Sequence, residues 1–90
     1  MRRLRLDPAA LQWRLLEGEV LAIDLTNSQY LSVNPSGATL WPTLAEGATE
    51  DELAELLMQR WSLDRESADT DVAAFIGWLD EKGLLLEEPS

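Results

Sequence analysis

The stretch Asp24–Gly37, DLTNSQYLSVNPSG, decides the fold. Thr26 to Gln29 is a polar turn. From Tyr30 the chain alternates: Leu31 and Val33 share one face, Tyr30 and Ser32 the other, which is the period of a half-buried strand. Asn34 is a good helix cap. Pro35 fits the first helical position, where its missing N–H needs no partner. The strand therefore ends because a helix begins, and the hydrophobic period changes there from two to 3.6.

Upstream, QWRLL (12–16) and VLAIDL (20–25) flank EGE, a hairpin turn around Gly18. In the second of these strands Leu21, Ile23 and Leu25 lie on one face and Val20, Ala22 and Asp24 on the other. The first eleven residues, MRRLRLDPAAL, form a basic arm or a short strand in which Leu4 and Leu6 alternate with Arg3 and Arg5.

Downstream, Ala38, Leu40, Trp41 and Leu44 supply the apolar side of the first helix. Pro42 is expected to shorten or kink it, and Gly47 to stop it. Thr49 and Glu52 make the S/T-x-x-E capping box of a second helix carrying Leu53, Leu56, Leu57 and Trp61 at helical spacing. A third helix starts near Asp64 to Ser67, shows Val72, Phe75, Ile76 and Leu79 as an i, i+3, i+4, i+7 stripe, and stops at Gly83. LLLEE follows as a tail or short strand. The expected elements are strands near 12–16, 20–25 and 29–33 and helices near 35–45, 50–60 and 65–82. That is an α+β fold: a three-stranded antiparallel sheet followed by three helices. If consecutive strands pair, the third lies on the sheet edge.

Ninety residues, 46% of them apolar, suit one small domain with a modest core. The chain has no Cys and no His, so thiol chemistry, the commonest metal ligand and the usual general base are all missing. Asp69 and Asp71 lie two apart on a helix and do not face each other; Glu87 and Glu88 sit in the tail; Ser36–Gly37 lacks the rest of a nucleophile elbow. No enzyme activity, metal or cofactor is expected. No apolar run reaches the roughly 20 residues of a membrane span, and the basic N-terminus lacks the apolar stretch of a signal peptide. A cytoplasmic protein without a membrane partner is the expectation.

Charge is uneven. Residues 1–14 hold four Arg and one Asp, while the rest holds three basic and sixteen acidic side chains, for a net −10 overall. Such a body repels phosphate, so no nucleic-acid partner is expected; acid either aids solubility or suits a partner carrying Lys or Arg. Trp41, Trp61 and Phe75 fall on apolar stripes and read as core; Trp13 and Trp78 fit core or interface. The edge strand QYLSV carries neither charge nor Pro, the usual protections of an edge. It is either covered by the protein's own tail or accepts a guest strand.

The ordered set of features resembles the PqqD-like family, the RiPP recognition elements that bind the leader peptides of ribosomally made precursors. It consists of EGEVLAIDLTNSQYLSVN from Glu17, Asn34 with Gly37 and Ala38, Trp41, Gly47 with Thr49, and DVAAFI from Asp71 leading to Gly83–Leu85. The resemblance covers roughly residues 12–86, leaving 1–11 as the arm and 87–90 as a tail. It implies a winged helix-turn-helix-like fold. It also implies that a leader adds antiparallel to the third strand and packs beside the third helix. Free-standing members of this length resemble the recognition proteins of lasso peptide biosynthesis, which hand a precursor to a separate leader peptidase and cyclase. Other pathways, including pyrroloquinoline quinone synthesis, use the same domain.

On that resemblance the candidate peptide-binding residues are Gln29, Tyr30, Leu31, Ser32, Val33 and Asn34 on the strand, with Asp69, Val72, Ala73 and Ile76 on the third helix. Val72 and Ile76 equally fit the core. Asp69 is expected to pair with a Lys or Arg of the leader. Two alternatives stand beside this reading. One is a DNA-binding winged helix, which the single Lys and five acids (Glu66, Asp69, Asp71, Asp80, Glu81) of residues 66–82 oppose. The other is a structural subunit without a peptide ligand.

Overall fold

A computed structural model describes residues 2–88. The chain order is β1 (Arg3–Leu6), β2 (Leu11–Leu16), β3 (Glu19–Asp24), β4 (Gln29–Leu31), α1 (Pro35–Glu46), β5 (Ala48–Thr49), α2 (Glu50–Trp61), α3 (Arg65–Glu81) and β6 (Leu85–Glu88). Two three-stranded antiparallel sheets result, ordered β2–β3–β4 and β5–β1–β6. The first is the expected sheet, with β4 at its edge. The second departs from the expected order: strands do not precede helices as one block, because β5 lies between α1 and α2 and β6 follows α3. Arg3–Leu6 pairs with both, so the chain's two ends close on each other. Met1 and residues 89–90, the outermost parts of the arm and the tail, lie outside the described residues.

Each helix begins where its sequence supplies an acceptor. Asn34 Oδ1 accepts from the Gly37 N–H at 2.7 Å, and Asp64 Oδ1 from the Ser67 N–H at 2.8 Å. At Thr49 both bonds of the capping box form: the Glu52 N–H donates to Thr49 Oγ1, and the Thr49 N–H donates to Glu52 Oε1. Three acids in the first turn of α2 also suit the positive end of its dipole. Gly47 ends α1 with φ 111°, a region side chains rarely adopt, and a Cβ there would stand 2.8 Å from Glu88 Oε1.

Pro42 does not shorten α1, which runs through it to Glu46. Trp41 and Leu44, on either side of Pro42, are fully buried, and each such side chain contributes about 1.5–3 kcal/mol. That holds the turn in place against the lost hydrogen bond. The core joins both sheets to all three helices: Leu4 and Leu6 from β1, Val20 and Ala22 from β3, Leu31 from β4, Leu40, Trp41 and Leu44 from α1, Leu53 and Leu57 from α2, and Val72, Ile76 and Leu79 from α3. Trp61, expected in the core, is 40% exposed at the end of α2. Its indole N–H donates to Thr39 Oγ1 at 3.2 Å, and the Arg60 guanidinium lies over its ring. Among the described residues no helix is long and apolar enough to cross a membrane, and no group of three or more Asp or Glu could hold a metal ion.

Candidate functional site

Asp24 sets the geometry of the edge strand. It closes β3 and is buried, with one oxygen accepting from the backbone N–H groups of Thr26 and Asn27 and the other from the Asn27 side chain at 2.8 Å. The Asn27 amide, those two N–H groups and the Lys82 ammonium hold its carboxyl below the ordinary range. This locks the turn that returns the chain as β4, paired to β3 through Ala22–Leu31, Ile23–Tyr30 and Asp24–Gln29. The other side of β4 pairs with no strand among the described residues.

Beyond Leu31 the chain leaves the ladder and walls one side of a cleft of about 490 Å³. Ser32, Val33 and Asn34 form that side, Ser36, Gly37 and Leu40 the start of α1, Leu57 the base, and Asp71, Ala74, Phe75 and Trp78 the face of α3. Concavity follows from small residues. Gly37 is buried, and a Cβ there would meet Val33 Cγ1, Asn34 Oδ1 and Phe75 Cε1 at 3.0–3.1 Å. The apolar floor continues into the core as a row of rings. Trp13–Trp41, Trp41–Phe75 and Phe75–Trp78 have centroids 6.3, 6.1 and 6.4 Å apart.

The cleft gathers some of the residues picked from sequence and not others. Ser32, Val33 and Asn34 line it. Gln29 and Tyr30 are exposed on the strand before it, and Leu31 is buried in the core. On α3 the residues expected to bind peptide lie one stripe away from the cleft. Val72 and Ile76 are 2% and 4% exposed, inside the core, so of the two placements open to them the structure takes the core one. Ala73 and Asp69 are exposed but do not line the cleft, and Asp69 Oδ1 already accepts from Arg65 Nε at 2.9 Å. The lining stripe is Asp71, Ala74, Phe75 and Trp78, at i, i+3, i+4 and i+7. The signal was present in the sequence: Phe75 and Trp78 are large and apolar yet sit one residue before the buried Ile76 and Leu79. Phe75, read as core, is half-buried in the cleft wall, and Trp78, left open, joins it there.

A second hollow of about 470 Å³ lies over the outer face of β2–β3–β4 and is lined chiefly by Trp13, Arg14, Leu21, Ile23 and Tyr30. Tyr30 is 87% exposed there.

An edge strand that opens into a cleft beside a helix offers unpaired backbone groups and a groove of mixed polar and apolar side chains to an extended ligand. The PqqD family, described as coenzyme PQQ synthesis protein D, matches residues 19–85, and the chain belongs to that family. Two solved structures share its fold. One is TbiB1 in complex with the TbiA(β) leader peptide, 23% identical, with a TM-score of 0.82 over 96% of this chain and 99% of that one. The other is lasso peptide synthetase B1 complexed with the leader peptide, 24% identical, with a TM-score of 0.77 over 92% and 96%. No curated protein is a significant match.

Proposed function

We propose that this protein is a non-catalytic recognition element that binds the leader of a ribosomally made precursor peptide of the lasso class and presents it to a separate leader peptidase and cyclase. One observation carries the reading: a strand edge that is uncharged, and unpaired among the described residues, leads directly into a cleft against α3 whose lining combines polar side chains with Phe75 and Trp78. A guest strand adding to Gln29–Asn34 would satisfy backbone groups along that edge with little dependence on its sequence, while the cleft would take alternate side chains and give specificity. The two solved relatives, both complexes with leader peptides by name, support the same use of the fold. In this reading β2–β4 and α1–α3 form the winged helix-turn-helix-like unit, put to peptide rather than DNA binding because the exposed side of α3 is acidic. Precursors are made by ribosomes, so the role belongs in the cytoplasm.

The test uses the folded full chain and a phage-displayed library of ten-residue peptides, followed by titration of a selected synthetic peptide with amide shifts recorded. Binding that shifts residues 29–34 together with 71–78 is the expected result. Failure to select any peptide, or shifts confined to another surface, would remove the reading.

A further inference from the structure

Among the described residues Asp71 is the only charged one lining the cleft. It is exposed, and among the described residues it takes part in no ion pair. Its neighbour Asp69 and the α2 residue Asp51 are both occupied, by Arg65 Nε and Arg65 Nη2 at 2.9 and 2.6 Å. The carboxylate available at this cleft is therefore the one at residue 71, beside an apolar wall. Phe75 follows one helical turn later on the same face, about 6 Å along the axis. Two residues of an extended chain span about 6.6 Å and point their side chains to the same side. One turn of the wall thus matches one side-chain period of a guest strand.

The sense of the guest also follows. Phe75 approaches Gly37, at the start of α1 just past the end of β4. Just past the far end of α3, the Leu84 carbonyl accepts from the Asp7 N–H, the Asp7 carbonyl from the Ala10 N–H and the Ala10 carbonyl from the Leu25 N–H, and Leu25 follows Asp24, which pairs with Gln29 at the start of β4. Hence α3 and β4 run in opposite directions, and Asp71 stands at the Asn34 end. Every strand pair among the described residues is antiparallel, the more stable arrangement. A guest added in that sense enters with its N-terminal side at Asp71 and proceeds toward Phe75 and Trp78.

We propose that the cleft selects extended peptides carrying Lys or Arg two residues before a large apolar side chain, the cation set against Asp71 and the apolar group against Phe75. This rests on the peptide-binding reading above and makes Asp71 a specificity-determining residue. The contact is exposed, so its effect on affinity is moderate, about two- to fivefold, and it weakens with salt.

The experiment selects the same displayed ten-residue library on folded wild type, Asp71→Asn, Asp71→Lys and Asp69→Asn, then titrates matched synthetic peptides with Lys or Gln at the chosen position. Wild type and Asp69→Asn should enrich Lys or Arg two residues before an apolar residue. Replacing the peptide Lys or Asp71 alone should each cost about two- to fivefold, with little further loss when combined. Asp71→Lys should turn the preference to Asp or Glu. Peptides that map to the cleft yet bind equally with Lys or Gln, or a preference that Asp71→Lys leaves unchanged, would overturn the proposal while leaving peptide binding intact. Selection of no cleft-binding peptide would overturn both.

Discussion

Phe75 meets Trp41 edge to face, with ring centroids 6.1 Å apart and planes at 60°. Trp41 is fully buried and Phe75 half-buried, so this pair fixes the cleft wall to the core. Phe75→Leu keeps apolar volume but loses the aromatic geometry. It should destabilise the fold by about 0.5–1.5 kcal/mol in urea unfolding and weaken peptide binding as well. An unchanged midpoint would show that the pair contributes only contact area.

Gly37→Ala sets two effects against each other. Alanine gains up to about 1 kcal/mol of helix propensity. Its Cβ, however, would crowd Val33, the capping oxygen of Asn34 and Phe75 at once, at 3.0–3.1 Å. Overpacking typically costs about 1–3 kcal/mol, so net destabilisation is expected, together with a narrower cleft mouth. A variant that melts higher than wild type and still binds peptide would show that these three neighbours yield easily.

The continuation of the edge strand can be probed at Ser32, one residue past β4, exposed and lining the cleft. Ser32→Pro should weaken peptide binding more than Ser32→Ala. Proline removes a backbone donor, worth roughly 0.5–1.5 kcal/mol, and its ring obstructs pairing. Leu31 and Val33 variants test the neighbouring register. Equal affinity across all variants that remain folded by circular dichroism would exclude strand addition here.

Acid should loosen the β3–β4 turn. The Asp24 carboxyl is held below its ordinary value, chiefly by the Asn27 side chain, so its folded-state pKa is depressed. Its stabilising contribution is therefore complete above the unfolded value near 3.9 and is lost as pH falls through the lower folded value. Wild type should lose stability more steeply below about pH 4 than Asn27→Ala. Parallel pH profiles of the two proteins in urea would contradict this.

Arg65 ties α2 to α3 by donating to Asp51 Oδ1 and Asp69 Oδ1, and this pairing pushes its own pKa up. Asp69, expected to pair with a Lys or Arg of the leader, accepts from Arg65 in this link. Arg65→Ala and Asp69→Asn should both lower the melting temperature at low salt, with the difference from wild type shrinking at high salt. A loss equal at both salt levels would assign the effect to packing.

Local chemistry was legible in the sequence. Asn34, Thr49 and Asp64 each offer an acceptor to their own helix within three residues, so helix starts could be read without any partner. The hairpin of β2 and β3 and the alternation that buries Leu31 while exposing Tyr30 were legible for the same reason. The tertiary structure decided what depends on distant segments. Arg3–Leu6 is a short strand whose pairing partners, Ala48–Thr49 and Leu85–Glu88, are distant in sequence, and no local pattern names them. It also decided which of two adjacent apolar stripes of α3 faces inward. Val72, Ile76 and Leu79 pack in the core, and that rotation hands Asp71, Phe75 and Trp78 to the cleft. The period of a helix fixes the stripes, but its rotation about its own axis is set by the surfaces it packs against, here α2 and the core around Trp41.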